Sequence, residues 1–281
     1  MKNKKYSISR YAFLSFFALF VLLPIVYTIT NSFMSANEIN RYYASIYQEG
    51  GSTMLHIILD RISLDGYYQM LFRRPDYLLK FWNSLGMTLV IVFGQVFISC
   101  LGGYAFAKFE FKFRDSIFFI IIILMMMPYQ VTLVSNYIVL DKMGLIGSYW
   151  AVILPAIFSP FGVFLMRQVI STMPNELIEA AKLDGAGQLQ LLFKIVVPRN
   201  MSGIISLVIL SFIDNWNMVE QPLVFLKDQR QYPLSIFLAQ SMSSNMSLSF
   251  ACGVLAMIPV TLLFIFFEKE LVEGISFSNL K

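Results

Sequence analysis

Six long apolar runs limit what this chain can fold into more than any other feature of its sequence. Each run is close to the roughly twenty residues that a helix needs to cross the hydrocarbon core of a bilayer. They lie at 11–30, 82–104, 117–138, 149–170, 202–220 and 250–268. The sequence therefore predicts an all-α polytopic membrane protein with six transmembrane helices.

The composition also favours a membrane chain. Of the 281 residues, 57% are hydrophobic and 14% are charged, whereas soluble domains carry about 25% charged residues. The net charge of +4 is modest and predicts no binding to nucleic acid. We interpret the first run as a retained span, because it exceeds the usual length of a signal-peptide core and no small-residue cleavage site follows it.

The basic residues predict the orientation of the chain. With the N-terminus inside, the inner segments hold thirteen of the 21 Lys and Arg residues, which favours a cytoplasmic N-terminus and C-terminus. The predicted organisation is a cytoplasmic N-terminus at 1–10, a first span at 11–30, an extracytoplasmic segment at 31–81, a membrane core at 82–268 containing a loop at 171–199, and a cytoplasmic tail at 269–281. The segment 31–81 is rich in tyrosine and is predicted to fold as a small cap, which either contacts a partner or packs on the spans.

The loop between the fourth and fifth runs has the sequence pattern of an ordered helix. Pro174 suits the start of a helix because its missing N–H is not needed there. Glu176 and Glu179 fall in the first turns, where the helix dipole favours negative charge. A helix beginning at this proline is therefore predicted.

Two glycines are predicted to divide the loop. Gly185 and Gly187 can end the first helix by adopting left-handed backbone angles, and a second helix is predicted from 188 to 197, ending before Pro198. Small residues leave room for a close approach, and apolar anchors accompany them: Ala180, Ala181, Ala186, Leu177, Ile178 and Leu183. These residues fit a docking element for another protein, and they equally fit an interfacial amphipathic helix without a partner.

A family resemblance separates these two interpretations. The Glu-Ala-Ala-x-x-x-Gly pattern at 179–185, followed by Phe193, Ile195 and Pro198, resembles the cytoplasmic coupling loop of permease subunits in ABC-type importers. Further similar motifs are Phe81-Trp-Asn-Ser84, Gly103-Tyr-Ala-Phe-Ala-Lys108, Met127-Pro-Tyr-Gln-Val-Thr132, Lys142-Met-Gly-Leu145, Leu154-Pro155, Phe164-Leu-Met-Arg-Gln168 and Asn215-Trp-Asn217. Residues 75–275 resemble the second permease subunit of carbohydrate importers, the group that includes the maltose permease component of the MalG type.

The resemblance implies a type I ABC importer permease fold in the bacterial cytoplasmic membrane, with a cytoplasmic coupling helix. It implies that this helix contacts a separate ATPase through Glu179, Ala180, Ala181, Leu183, Asp184, Gly185 and Ala186. Glu179 would supply a charged contact, and Gly185 the turn that keeps the helix seated. The implied partners are a second permease subunit, two ATPase subunits that bind ATP and Mg²⁺, an extracytoplasmic solute-binding protein and a carbohydrate. The ending Phe277-Ser-Asn-Leu-Lys281 departs from the usual family ending.

A second group of polar residues is a candidate substrate path. Sugars need hydrogen-bonding side chains and a flat aromatic face, which the end of the fifth run offers. The candidates are Asn215, Trp216, Asn217, Glu220 and Gln240. A structural role, with hydrogen bonds to neighbouring helices, is the slightly favoured alternative. The segment 238–247 resembles in position a loop inserted into the binding protein, and its polar composition also suits any surface loop.

The sequence gives little support to catalysis in this chain. It contains no Gly-Lys pair, and therefore no Gly-x-x-x-x-Gly-Lys-Ser/Thr phosphate loop. No catalytic residue, metal site or cofactor is predicted, and His56, the single histidine, is interpreted as a surface residue. Three functions are considered: a carbohydrate permease subunit, the same kind of subunit serving a polyamine, peptide or ion, and a stand-alone channel or secondary carrier. The absence of an evident internal repeat argues against an inverted-repeat carrier.

Overall fold

The computed structural model describes residues 2–43, 56, 58–73, 76–241 and 246–270, with side chains from residue 10 onward. Within those ranges every regular element is helical. The helices are α1 (Lys2–Ser32), α2 (Ala36–Tyr43), α3 (Asp65–Tyr68), α4 (Asp76–Lys108), α5 (Arg114–Met126), α6 (Tyr129–Lys142), α7 (Tyr149–Ile157), α8 (Pro160–Ser171), α9 (Asn175–Leu183), α10 (Gln188–Leu191), α11 (Val197–Arg199), α12 (Met201–Trp216), α13 (Glu220–Phe225), α14 (Leu234–Ser241) and α15 (Met246–Phe266). The chain forms two compact units, Met1–Leu79 with Ile236–Ile258, and Lys80–Ser235 with Pro259–Lys281.

The long helices confirm the prediction of an all-α polytopic membrane protein. Four are long and apolar enough to cross a membrane: Arg10–Ser32, Asp76–Lys108, Tyr149–Ser171 and Met246–Phe266. Two further pairs pass the same test but are bent: Arg114–Met126 with Tyr129–Lys142, by 103°, and Gln188–Arg199 with Met201–Trp216, by 81°. The described residues thus contain up to six spans, if each bent pair counts as one.

Two of the predicted spans are interrupted by prolines. Pro128 separates α5 from α6, and Met127 before it is extended, with ψ of 127°. A residue before proline avoids helical angles, and proline lacks the N–H that a continuing helix needs. Pro160 begins α8 for the same reason, after the extended Ser159, whose Oγ accepts the Gly162 N–H at 3.1 Å. The run 117–138 is therefore sharply bent, whereas the run 149–170 has only a short break at residues 158–159 and still counts as one span.

The fifth predicted span, 202–220, is too long at its end. Helix α12 stops at Trp216, where the Asn217 side chain donates to the Ile213 carbonyl at 2.9 Å. An asparagine that bonds the last turn in this way favours the end of a helix. Glu220 consequently lies on the separate short helix α13. The second span, by contrast, begins earlier than predicted, at Asp76.

Close helix contact in the second unit depends on Gly103. A Cβ added to this residue would lie 2.5 Å from Met166 Cβ and 2.8 Å from the Arg167 backbone nitrogen. No side chain fits in that space, so α4 and α8 touch along their backbones, as small residues allow in membrane proteins. A second apolar cluster of the same unit includes Met87 of α4, Leu140 of α6 and Phe225 of α13.

The first unit contains the first span and the described part of the segment 31–81. Residues 10–26 of α1 are exposed along an apolar surface, which suits contact with lipid. After α1, the side chains of Met34, Ile39 and Tyr43 are buried together, with Phe250 packed against them. This small core lies in the described part of the predicted cap.

Candidate functional site

Helix α9 is the first element of the loop at 171–199. It follows Pro174 and ends with two backbone hydrogen bonds, from the Gly185 N–H to the Lys182 carbonyl and from the Ala186 N–H to the Ala181 carbonyl, both 3.0 Å long. Gly185 has φ of +83°, the left-handed conformation that this type of helix ending requires. The sequence predicted this turn.

Gly187 does not share that role. Its φ is −71° and its ψ is 161°, an extended conformation open to most residues, and α10 starts directly after it. One left-handed residue is enough to end α9, so the prediction for Gly187 was wrong. The second helix also continues past its predicted end: a wide turn at Leu192–Val196 leads into α11, which includes Pro198. Proline is tolerated in the first turn of a helix, where its missing N–H is not used.

The inner face of α9 is built into an apolar core, here called the loop-base cluster. Its buried members are Cys100, Tyr104, Met166, Ile170, Met173, Ile178, Leu191, Leu192, Val196, Ile204 and Leu207, with Ala181 and Ala186 packed against them. The cluster joins the loop to α4, α8 and α12. Ile178, predicted to anchor a partner, is instead buried in the core of its own chain, because it lies on the face of α9 opposite the most exposed residues.

Polar contacts add to this attachment. The Lys108 ammonium at the end of α4 donates to the Met173 carbonyl at 2.5 Å and to Asn175 Oδ1 at 2.8 Å. The Tyr104 hydroxyl donates to Gln188 Oε1 at 3.3 Å. Hydrogen bonds that involve a charged donor are the stronger kind. The starts of α9 and of α10 are thus both tied to α4.

The outer face of α9 is open. Leu183 is 90% exposed, and Leu177, Glu176, Glu179 and Ala180 are exposed beside it. A Cβ added to Gly185 would meet no atom within 4 Å. An exposed leucine on an otherwise polar helix that is firmly attached behind is a suitable apolar anchor for another protein.

The candidate substrate-path residues have two different environments. Asn215 and Trp216 are buried. The Trp216 ring stacks on Phe212 with centroids 5.6 Å apart and meets the edge of Phe81 at 5.7 Å. The Asn215 amide donates to the Ser211 carbonyl at 2.7 Å. These two side chains take part in helix packing, which was the alternative favoured from the sequence.

The Asn215 amide also approaches Gln95, a residue that sequence reasoning missed. Its Nδ2 lies 3.5 Å from Gln95 Oε1, and Gln95 Nε2 donates to the Ala156 carbonyl at 2.6 Å. In a continuous helix that carbonyl would accept from residue 160, which is proline and has no N–H. Gln95 replaces the missing donor. An amide inside an apolar run was the signal that could have identified it.

Asn217 and Glu220 are exposed residues of the second unit, and Gln240 is an exposed residue of the first. The Gln130 amide donates to both carboxylate oxygens of Glu220, at 2.9 and 3.1 Å. Gln240 is exposed near the end of α14 and belongs to the first unit, so it is described apart from the others. Residues 242–245 of the segment 238–247 and the ending 277–281 lie outside the described residues.

Comparison with known proteins gives consistent results. Residues 95–276 match the family described as binding-protein-dependent transport system inner membrane component. The chain is 30% identical to the arabinooligosaccharides transport system permease protein AraQ of Halalkalibacterium halodurans, over 96% of this chain and 94% of that protein. It is 29% identical to the sn-glycerol-3-phosphate transport system permease protein UgpE of Agrobacterium fabrum, over 91% and 90%. A bacterial ABC transporter involved in the import of alginate has a chain that matches with a TM-score of 0.78 at 22% identity, covering 96% of this chain and 97% of that one.

Proposed function

The chain belongs to the family of binding-protein-dependent transport system inner membrane components, and from that premise we propose that it takes part in the import of a carbohydrate. Its full-length relatives are permease subunits of ABC transporters, so it is a transport subunit rather than an enzyme. The arabinooligosaccharide permease is one of the relatives that support a sugar as the solute.

The observation that supports coupling to an ATPase is the two-sided construction of α9. Its outer face presents Leu183 beside the turn at Gly185, and its inner face rests on the loop-base cluster. In the proposed mechanism the partner ATPase subunits bind ATP and Mg²⁺ and close. A force on the outer face is then passed to α4, α8 and α12 through close-packed side chains, which transmit displacement because they leave little free volume.

The proposed assembly contains this chain, a second permease subunit, two ATPase subunits and an extracytoplasmic solute-binding protein. Both termini are proposed to lie in the cytoplasm of a bacterium, with the coupling face of α9 on the same side. Asn217 and Glu220, held with Gln130, are proposed as the accessible substrate-path residues of the second unit. Asn215 and Trp216 are proposed to support that region from behind. Gln240 is proposed separately, as a substrate-path residue of the first unit.

Transport is tested by placing the complex, purified with the subunits that accompany this chain, in liposomes. We expect ATP hydrolysis to rise when a binding protein loaded with an oligosaccharide is added, and labelled sugar to enter with it. A rate of ATP hydrolysis that does not rise with any sugar in a panel based on arabinose, galactose and glucose would contradict the carbohydrate assignment. Solute movement by this chain alone, without any ATPase, would contradict the coupled mechanism.

A phosphorylated polyol is the second candidate solute. It is favoured by the 29% identity to the sn-glycerol-3-phosphate permease over most of both chains. The same liposomes distinguish the two candidates, since stimulation by glycerol 3-phosphate and its binding protein, with no response to sugars, would support the second. Polyamines, peptides and ions are the further solutes to include in the panel.

Docking on α9 is tested separately with Leu183→Asp. Burying a charge without a partner at an interface is costly, so we expect the ATPase to dissociate from the variant during purification. Met143→Asp is the matched control, because Met143 is also an exposed apolar residue, 60% exposed, outside the loop at 171–199. If the Leu183→Asp variant retains the ATPase, the proposal that α9 contacts the ATPase is wrong.

A further inference from the structure

Glu38, His56 and Asp60 meet in the first unit, in the segment that follows the first span. One nitrogen or oxygen ligand atom of each side chain lies within 4.8 Å of the others. Glu38 sits in α2 and is only 4% exposed, His56 is partly buried, and Asp60 is exposed at the edge of the group. The three residues thus form a cluster of ligand atoms that is buried at Glu38 and exposed at Asp60.

Two side-chain atoms of these residues are buried without a partner among the described residues. They are Glu38 Oε2 and His56 Nε2. Leaving a buried polar atom without a hydrogen bond costs about 1–3 kcal/mol, and more for a charged group. Two such atoms in one cluster of three residues, one a carboxylate oxygen and one an imidazole nitrogen, are what a shared cation would satisfy together.

Other contacts hold the side chains in place. Glu38 Oε1 accepts the Asp60 backbone N–H at 2.7 Å, and the His56 ring stacks on Tyr42 with centroids 3.7 Å apart. The His56 carbonyl accepts from the Tyr43 hydroxyl at 3.2 Å and from the Asn31 amide at 3.4 Å. Ligands oriented by groups around them are typical of metal sites in proteins.

The nearby positive charge does not neutralise the site. Arg41 Nη1 lies 3.5 Å from Asp60 Oδ2, and the two side chains are 69% and 46% exposed. An ion pair so exposed is worth little because water screens it. The Tyr42 hydroxyl lies 3.3 Å from the same Asp60 oxygen. With two carboxylates against one guanidinium, a net negative charge remains for a cation.

We propose that Glu38, His56 and Asp60 bind a divalent transition-metal ion of the Zn²⁺ type. Imidazole nitrogen with carboxylate oxygens suits zinc, whereas Ca²⁺ and Mg²⁺ prefer oxygen ligands alone. Ligand atoms around a tetrahedral zinc ion lie about 3.4 Å apart. Small side-chain rotations that move the ligand atoms by about 1 Å would therefore bring all three within bonding distance of the ion. Three protein ligands leave a fourth position for water.

The ion would connect two parts of the chain that are distant in sequence. Glu38 and Asp60 are separated by 22 positions. A metal that fixes both ends stabilises such a segment because it restricts the unfolded chain and pairs buried ligands. This inference uses residues of the first unit only and does not depend on the solute or on the coupling to an ATPase.

The test measures zinc bound by the full chain, purified with its partners through a tag without histidine. After treatment with a chelator and dialysis, the protein is titrated with Zn²⁺ and the bound metal is counted by mass spectrometry. We expect the wild type to bind one more ion per chain than Glu38→Gln or His56→Ala. The Asp60→Asn variant is expected to bind Zn²⁺ at least about tenfold more weakly than the wild type.

Asp65→Asn is the matched control, because Asp65 is an exposed aspartate five positions after Asp60 and outside the cluster. It should bind zinc as the wild type does. Co²⁺ gives a second readout, since a site with a histidine ligand produces visible absorption bands that should disappear in His56→Ala. If Glu38→Gln fails to accumulate, Asp60→Asn decides the question, because its side chain is exposed and its removal leaves the buried core unchanged.

Equal zinc binding by the wild type and the three cluster variants would overturn the proposal. Loss of binding in Asp65→Asn as well would show attraction to the general surface charge, which also overturns it. Binding of Ca²⁺ in preference to Zn²⁺ would rule out a transition-metal site. A zinc-dependent rise in the melting temperature of the wild type, absent in Glu38→Gln, would support the stabilising role.

Discussion

Gly185→Asp should abolish transport because it disturbs the proposed docking face of α9, and not because the chain loses its fold. The residue has φ of +83°, and a Cβ there would meet no atom within 4 Å. The cost of a substitution is therefore backbone strain alone, about 1–2 kcal/mol for alanine. Aspartate and asparagine enter the left-handed region more readily and cost less. Against a stability of about 5–15 kcal/mol, each variant stays folded and inserted.

Backbone strain and a closely packed partner predict opposite orders of transport activity among the Gly185 variants. If strain controls activity, Gly185→Ala is the most damaged. If a partner packs closely on this turn, the larger and charged side chains are worse, because they must enter a fitted interface without a partner for the charge. We expect Gly185→Asp to lose transport, Gly185→Asn to lose most of it, and Gly185→Ala to keep a large part.

The assay is sugar uptake and ATP hydrolysis in liposomes, with the amount of inserted chain measured in parallel. Gly144 provides the matched control, since its φ is +67° and a Cβ there also meets nothing within 4 Å, but it lies after α6, outside the loop. Gly144→Asp should transport normally. Normal uptake by Gly185→Asp would refute the coupling assignment. Equal damage in the Gly185 and Gly144 series would refute the docking argument and leave strain as the cause.

Three further predictions concern the packing that supports the loop. Gly103→Ala forces α4 away from α8 and should lower the free energy of unfolding by about 1–3 kcal/mol. Gly86→Ala is the control, because a Cβ at Gly86 meets open space and should not lower it. Similar melting temperatures of the two variants in detergent would contradict the backbone contact. Gln95→Leu removes the donor to the Ala156 carbonyl at the break between α7 and α8 and should lower the free energy of unfolding by about 1–3 kcal/mol. The same thermal unfolding measures it, and an unchanged melting temperature would mean that another group pairs with this carbonyl. Lys108→Met removes two hydrogen bonds at the start of α9, and we expect more ATP to be hydrolysed per sugar imported. An unchanged ratio would show that the loop-base cluster alone is sufficient to couple α9 to the spans.

The parts of the fold that the sequence predicts well depend on neighbouring residues. The six apolar runs coincide with the long or bent helices because the length of a span is a property of a continuous segment. The turn at Gly185 was also predictable, since a glycine after a helical pattern is the usual left-handed ending. The bend at Pro128 required more than the presence of proline, because many membrane helices contain one without breaking.

The parts that the sequence could not predict depend on three-dimensional neighbours. Helical spacing alone did not separate the buried Ile178 from the exposed Leu183, because both are apolar and belong to one short helix. Nothing in the sequence connects Gln95 with the Ala156 carbonyl, 61 positions away. His56 was interpreted as a surface residue, and its proximity to Glu38 becomes visible only in the structure. That interpretation missed the cluster.

The two faces of α9 have a genetic consequence. Damage at the outer face, as in Leu183→Asp, concerns the surface that we propose for the ATPase, so compensating mutations are expected in the gene of the ATPase. Damage at the inner face, as in Ile178→Ala, leaves a cavity inside the chain, and revertants should map to α4, α8 or α12. A selection for restored growth on the transported solute would therefore sort neighbouring residues of one nine-residue helix into intergenic and intragenic classes.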